Sequence, residues 1–134
     1  MGLAKLPRMT TRIAGFEVGD GRPLLLLCGP DIVEGEEITL RAAHAVKELA
    51  ARHGLPLVFK CSVDKANRTS LKSFRGLGIE RGLAILAKVK AQTGLPLLID
   101  VHEAGQVPAV AAVADVVQIP AFLCRQTDLL VACG

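Results

Sequence analysis

Four short apolar runs recur along the chain, and longer amphipathic stretches separate them. Within each run the apolar residues follow one another and do not alternate with polar ones, which is typical of parallel strands covered on both faces. The pattern therefore predicts four buried parallel strands. They span residues 23–28, 55–61, 95–100 and 115–119.

The stretches between these runs have the apolar spacing of helices that bury one face. The first begins with acidic residues, which suit the positive end of a helix dipole, and Gly54 marks its end. The second spans residues 79–93, the third is short, at residues 106–112, and a fourth begins near residue 126. We expect the core-facing side chains to be Ile38, Ala42, Ala45, Val46 and Leu49 in the first helix and Leu83, Leu86, Ala87 and Val89 in the second.

The order of these elements predicts consecutive βα units. Right-handed crossovers of this kind build either a doubly wound sheet or a (β/α) barrel. Before the first strand, residues 12–21 predict a small antiparallel hairpin with Asp20-Gly21 as its turn. We interpret residues 1–134 as one α/β domain, in which residues 1–22 contain the hairpin and residues 23–134 contain the βα units.

The composition narrows the class of protein further. Of the 134 residues, 51% are hydrophobic and 22% charged, which supports a packed core and excludes intrinsic disorder. Aromatic residues make up only 3%, which disfavours a nucleic-acid binder that stacks bases, and the net charge of +3 suits small anions. No apolar run reaches the roughly 18 to 20 residues of a membrane span, and no signal-peptide core is visible. We therefore expect a cytoplasmic protein that binds neither nucleic acid nor membranes.

Polar side chains gather where the predicted strands end. In parallel α/β folds these ends lie on the same side of the sheet, and ligands bind there. Asp31 follows the first strand, Lys60 lies in the second, Asp100 and His102 end the third, and Gln118 lies in the fourth. Such a carboxylate and imidazole could be an acid/base set, metal ligands, or a cap for the next helix.

The loop after the second strand is the most informative stretch. Residues 61–78 have neither helical nor strand periodicity, and the loop is long for a βα connection. Its lysines, arginines and hydroxyls suit phosphate and carboxylate ligands. The alternative is a solvated, polar surface loop. Lys60 lies in the strand itself, directly before the loop, and this favours a binding site.

Three strings of the sequence resemble one enzyme family. They are FKCSVDKANRTSLKSFRGLG (59–78), IDVHE (99–103) and QIPAFLCRQTDLL (118–130), and they resemble the 3-deoxy-D-manno-octulosonate 8-phosphate synthases, also called 2-dehydro-3-deoxyphosphooctonate aldolases. The resemblance implies the first half, about four βα units, of a (β/α)₈ TIM barrel. It also implies a transferase of lipopolysaccharide biosynthesis, which condenses phosphoenolpyruvate with D-arabinose 5-phosphate and water and releases phosphate.

The resemblance also implies roles for individual residues. Lys60 and Lys65 would bind the carboxylate and phosphate of phosphoenolpyruvate, with Gln118 nearby, and Asp100 and His102 would be catalytic. Further substrate contacts would come from Asn67 to the sugar hydroxyls, from Arg68 and Thr69 to the sugar phosphate, and from Arg125 to the sugar phosphate of a neighbouring subunit in a homo-oligomer, a tetramer in the full-length family.

The cofactor stays open at this stage. Metal-using members of the family have a metal-binding cysteine where this chain has Asp31, and metal-free members have an asparagine there. A carboxylate could ligate a hard divalent ion, or it could replace asparagine as a polar neighbour. The implied cofactor is therefore either a divalent metal at Asp31 or none.

The length leads to a further expectation. A barrel of eight units needs about 250 residues, so we expect the chain alone to be a fragment without catalytic turnover. Two alternatives remain open. One is a sibling aldolase that uses erythrose 4-phosphate, although its loop typically reads K-P-R-T-S where this chain has residues 65–69 as KANRT. The other is a non-catalytic half-barrel that binds a ligand or dimerises.

Overall fold

The computed structural model describes residues 9–134, which form a mixed α/β fold with two sheets. The smaller sheet is an antiparallel hairpin, and the larger has four parallel strands. The strands of this described part are β1 (Thr10–Ile13), β2 (Phe16–Gly19), β3 (Leu26–Cys28), β4 (Leu57–Lys60), β5 (Leu97–Asp100) and β6 (Val116–Gln118), and the helices are α1 (Glu36–Arg52), α2 (Ile79–Thr93), α3 (Val107–Ala111) and α4 (Thr127–Cys133).

The four predicted parallel strands are confirmed, each slightly shorter than predicted. Consecutive strands are neighbours in the order β3-β4-β5-β6, with Leu27 opposite Val58 and Ile99 opposite Val117. Phe59 and Leu97 have no exposed surface, because helices cover the sheet beside them. This arrangement is consistent with a partial α/β barrel.

The helices begin and end close to the predicted positions. The bounds of α2 agree with the prediction, and Gly94 ends this helix with a φ of 69°, a left-handed conformation that glycine adopts without strain. The predicted short third helix is α3, and a 3₁₀ turn, Ala104–Gln106, leads into it. A second 3₁₀ turn, Ala121–Leu123, precedes α4.

The predicted buried faces of α1 and α2 are partly wrong. Ile38 and Leu49 are 55% and 46% exposed, and Ala45 and Ala87 are exposed as well. The neighbouring elements decide which face is buried. Because α1 contacts α2 and β4, the buried face of α1 begins at Thr39, one residue after the predicted Ile38. The residues buried instead are Thr39, Ala43 and Ala50 in α1 and Gly82 and Ile85 in α2.

The N-terminal hairpin is present, but its turn is not at Asp20-Gly21. Ile13 pairs with Phe16, so the two residues between the strands are Ala14 and Gly15. Their φ angles are 48° and 85°, and a two-residue turn with positive φ at both positions matches the twist of the hairpin strands. The predicted hairpin range also includes residues 1–8, which lie outside the described residues.

Asp115 connects three elements at the end of the sheet where β5 begins. Its carboxylate accepts hydrogen bonds from the amide of Leu97 and from Lys90 of α2, both at 2.8 Å. Burial alone would raise the pKa of Asp115, but the hydrogen bonds from Lys90 and Leu97 outweigh burial and lower it. The charged form is therefore favoured in the folded chain.

We expect Asp115→Asn to lower the free energy of unfolding by about 1 kcal/mol at pH 7, as the loss of a charge-assisted hydrogen bond does. The folded-state pKa lies below the usual value of 3.8, so this stabilisation is complete above 3.8 and is lost as pH falls through the folded-state pKa. Urea unfolding at pH 7 and below pH 3 measures the difference, with Asp20→Asn as the matched control. An equal difference at both pH values would contradict the assignment.

Candidate active site

Two adjoining cavities lie at the carboxyl ends of the parallel strands. The inner cavity has a volume of about 220 Å³, and Lys60, Asp100, His102 and Gln118 are among its lining residues. The second, which we call the loop cavity, has a volume of about 600 Å³ and lies against the long loop after β4. The residues that line both cavities, and so form their common wall, are Asp31, Lys65 and Asn67.

Asp100 holds the centre of the inner cavity. Its Oδ1 lies 3.3 Å from Nζ of Lys60, and its Oδ2 lies 3.4 Å from Nε2 of His102. Lys60 also donates a hydrogen bond to Oγ of Ser62. An ammonium group has three donors, so Lys60 retains one for a ligand in the cavity. The carboxylate also compensates the charge of the lysine.

The imidazole of His102 is held on several sides. It stacks on the ring of Phe122, with 6.0 Å between the ring centroids and an angle of 25° between the planes. The backbone amide of His102 donates to Oε1 of Gln106 at 2.9 Å. Nδ1 is buried and has no hydrogen-bond partner among the described residues, and Oδ2 of Asp64 lies 4.0 Å from it. This nitrogen can therefore accept or donate a proton without breaking an existing bond.

The loop between β4 and α2 is closed at its base. We call residues 65–74 the basic loop, and Asp64 and Arg75 its neck. Arg75 donates from Nε to Oδ1 of Asp64 at 2.7 Å and from Nη2 to Oδ2 at 3.0 Å, and the amide of Lys65 donates to the carbonyl of Arg75 at 2.8 Å. The hydrogen bond from Arg75 lowers the pKa of Asp64 and raises that of Arg75. Both groups of the neck are therefore charged at neutral pH, and their contact closes the base of the loop.

Gly76 lets the chain turn from the neck toward α2. Its φ is 128°, and a Cβ at this position would lie 2.6 Å from the carbonyl oxygen of Val63. Both observations require glycine, because an L side chain would be strained and would clash with the backbone. Glycine therefore lets the chain pass close to the backbone of Val63 directly after the neck.

Arg68, which lines the loop cavity, has an unsatisfied donor. Nε of Arg68 is buried and has no hydrogen-bond partner among the described residues. Thr69 and Ser73 line the same cavity and add hydroxyl groups. A buried guanidinium nitrogen without a hydrogen-bond partner is energetically costly, and an anionic oxygen would satisfy it. This cavity therefore suits a phosphate group.

Asp31 does not form a metal site with the residues around it. Its carboxylate pairs with Nζ of Lys65, and it is exposed. Within residues 9–134 no group of three or more histidine, cysteine, aspartate or glutamate side chains could hold a metal ion. A cation that already compensates the carboxylate opposes a second one, so the described residues do not fit a divalent ion.

Most of the predicted site residues lie together. Those at the inner cavity are Asp31, Lys60, Lys65, Asn67, Asp100, His102 and Gln118, and those at the loop cavity are Asp31, Lys65, Asn67, Arg68 and Thr69. Arg125 lines neither cavity and is exposed after the second 3₁₀ turn. Such a position is compatible with a contact to another subunit.

The predicted site residues do not include Ser62 or Asp64, which also line the inner cavity, although Asp64 is among the polar residues that follow the second predicted strand. A signal for them exists, because side chains two residues apart on an extended strand point to the same side. Lys60, Ser62 and Asp64 have this spacing, and the intervening Cys61 and Val63 are buried in the core. Phe122 was missed as well, because its place in the site depends on stacking with His102.

Comparisons with known proteins agree on the kind of protein. Residues 8–134 match the DAHP synthetase I family. The chain is 53% identical over 125 residues to the 2-dehydro-3-deoxyphosphooctonate aldolase of Azoarcus sp. (strain BH72), an alignment that covers 91% of this chain and 45% of that protein. The enzyme of the same name from Burkholderia mallei (strain SAVP1) is 54% identical over 122 residues, or 91% of this chain and 43% of the relative. The chain therefore spans less than half the length of these relatives. Within residues 9–134 no helix is long and apolar enough to cross a membrane.

Cys61 provides a test of the packing beneath the site. The side chain is fully buried, and burial raises the pKa of its thiol to about 12. Cys28 and Cys124 are exposed free thiols. Because only the thiolate reacts, we expect iodoacetamide at pH 8 to label Cys28 and Cys124 in the native chain and to spare Cys61 until urea is added. Peptide mass spectrometry measures the labelling, and equal rates at Cys28 and Cys61 would contradict the packing.

Proposed function

Because the chain belongs to the DAHP synthetase I family, we propose that its two cavities bind the substrates of the 3-deoxy-D-manno-octulosonate 8-phosphate synthase reaction. The substrates are phosphoenolpyruvate and D-arabinose 5-phosphate, and the product belongs to lipopolysaccharide biosynthesis. The names of the relatives support the octulosonate branch of the family. The observation that carries the proposal is that two donor-rich cavities share one wall.

Phosphoenolpyruvate would occupy the inner cavity. Its carboxylate and phosphate would contact Lys60 and Lys65, and Gln118 would add an amide donor. Both lysines are already paired with carboxylates, Lys60 with Asp100 and Lys65 with Asp31. These pairs fix the ammonium groups and limit the cost of two cations so close together. An arriving anion then finds its donors in place.

Arabinose 5-phosphate would occupy the loop cavity. Its phosphate would contact Arg68 and Thr69, and Asn67 in the common wall would contact the sugar hydroxyls. The partnerless Nε of Arg68 supports this placement, since a guanidinium offers parallel donors that match phosphate oxygens. With the phosphate in the loop cavity, the aldehyde end of the sugar would extend toward the inner cavity.

The reaction would take place at the common wall. The vinyl carbon of phosphoenolpyruvate attacks the aldehyde carbon, and the aldehyde oxygen gains a proton. Water adds to the cationic carbon and loses a proton, and the C–O bond to phosphate then breaks, so that inorganic phosphate leaves. His102 and Asp100 would hold and move these protons. The contact between Nε2 of His102 and Asp100 supports this role, as does Nδ1 of His102, which has no partner among the described residues. Lysine and arginine charges offset the repulsion between the two anions.

We propose that residues 23–134 are about four βα units of a (β/α)₈ barrel, and that the preceding residues 1–22 contain the hairpin. Two exposed leucines support this, since Leu24, just before β3, is 72% exposed and Leu27, within β3, is 51% exposed. An apolar cavity of about 190 Å³ opens between α1 and this edge, and Leu26, Cys28 and Leu49 line it. Within residues 9–134 neither β3 nor β6 pairs with a further strand. Additional βα units would cover these surfaces.

We also propose that the protein works as a homo-oligomer in the cytoplasm, with Arg125 contacting the sugar phosphate of a neighbouring subunit. The exposed position of Arg125, away from both cavities of its own chain, supports this role.

The described residues do not fit a divalent ion, so no step of the proposed mechanism depends on one.

Calorimetric titration of the chain with each substrate tests the proposal. We expect Lys60→Met to weaken phosphoenolpyruvate binding and Arg68→Ala to weaken arabinose 5-phosphate binding, each by about 1 to 3 kcal/mol, or roughly 5- to 150-fold. Lys65→Met should weaken both, because Lys65 lies in the common wall. The control Arg81→Gln, on the exposed side of α2, should change neither affinity.

Two outcomes would contradict the proposal. If neither substrate bound the wild-type chain, the two cavities would not be the substrate site. If erythrose 4-phosphate bound more tightly than arabinose 5-phosphate, the chain would belong to the sibling branch.

A further inference from the structure

We propose that Asp64 is a positioning residue that connects the neck of the basic loop to the imidazole of His102. The inference deepens the proposed function and rests on it, since the loop and the imidazole belong to the proposed substrate site. Asp64 has no place in the substrate contacts derived above. Its role follows from its position between Arg75, in the loop before α2, and His102, which follows β5.

The first connection is to Arg75. The guanidinium fork engages both carboxylate oxygens of Asp64, at 2.7 and 3.0 Å. A two-point contact fixes the plane of the carboxylate as well as its position. Two further contacts hold the neck. The amide of Lys65 donates a hydrogen bond to the carbonyl of Arg75, and Gly76 lies close to Val63. Asp64 therefore stays in one orientation for as long as the loop is closed.

The second connection is to His102. Oδ2 of Asp64 lies 4.0 Å from the buried Nδ1, and Oδ2 of Asp100 lies 3.4 Å from Nε2, so a carboxylate faces each nitrogen of the ring. The ring face stacks on Phe122. Each carboxylate attracts the edge of the ring that it faces, so the two together favour this orientation of the imidazole.

A coupling between loop and ring follows from this geometry. Asn67 and Arg68 belong to the basic loop, and they can bind a ligand only if the neck holds the loop over the cavity. Opening the neck would displace Asp64, and Nδ1 of His102 would lose the carboxylate nearest to it. Closure of the loop therefore also brings the imidazole to its working geometry.

The ring nitrogens of His102 provide a direct readout. The chain has three histidines, and His44 and His53 are exposed, so they serve as internal references. Long-range ¹H–¹⁵N spectra at pH 7 show how the proton is shared between Nδ1 and Nε2. We expect Asp64→Asn to shift the Nδ1 resonance of His102 well beyond any change at His44 or His53. A neck that serves only the stability of the loop would leave this resonance in place.

Arg75 variants separate orientation from charge. Arg75→Gln keeps the carboxylate of Asp64 but removes the guanidinium group that holds it. We expect this variant to shift the same His102 resonance and to weaken arabinose 5-phosphate binding about tenfold. Arg75→Lys retains the charge and should restore part of both effects. The matched control Arg81→Gln should leave both unchanged.

The possible outcomes are distinguishable from failure of the proposed function. If Asp64→Asn and Arg75→Gln both leave the His102 resonances at their wild-type positions in folded chains, the positioning role is wrong, whatever the substrates do. If Asp64→Asn does not fold, Arg75→Gln alone decides by the same criterion. If the resonances shift but no substrate binds the wild-type chain, the positioning role stands and the proposed function fails.

Discussion

The parallel register of β4, β5 and β6 is the constraint on which the site depends. Asp100 lies opposite Gln118, and Lys60 pairs with Leu98 on the same strand as Asp100. Because β4 and β5 are buried on both faces, the carboxyl end of the sheet is where polar side chains can emerge together. The 3.3 Å contact between Lys60 and Asp100 is a direct consequence of that register. A one-residue slip of β5 would turn Asp100 to the opposite face of the sheet and dismantle the inner cavity.

Charge pairing organises the site around this sheet edge. Three basic groups of the site, on Lys60, Lys65 and Arg75, each contact a carboxylate, and the pairs come from different segments of the chain. Pairing allows cations to lie close together without large mutual repulsion. Arg68 is the exception, since its Nε is buried without a partner among the described residues. In the proposed function this donor receives the sugar phosphate, while the paired lysines receive phosphoenolpyruvate.

The sequence was sufficient for elements whose signals are local. Uninterrupted apolar runs located the four strands, and the apolar spacing and Gly94 located α2. The buried face of α1 was not predictable in the same way, because apolar residues such as Ile38 and Leu49 occur on a side that no described element covers. The prediction of the hairpin turn was wrong for a related reason. Asp20-Gly21 follows the second strand of the hairpin, and because Ile13 pairs with Phe16 the turn lies at Ala14. The ion pair of Asp64 and Arg75 depends on closure of an irregular loop, which no periodicity reports. The period-two spacing of Lys60, Ser62 and Asp64 did carry a usable signal.

Simultaneous occupancy of the two cavities is the most direct test of the account. An amide NMR titration would saturate the chain with phosphoenolpyruvate and then add arabinose 5-phosphate. We expect phosphoenolpyruvate to shift the amide resonances of Lys60 and Gln118. Arabinose 5-phosphate should then shift those of Arg68 and Thr69, while the resonances of Lys60 and Gln118 stay shifted. Reversal of the first set on addition of the sugar phosphate would show that the two anions compete for one site, and would contradict the proposed pair of substrate cavities.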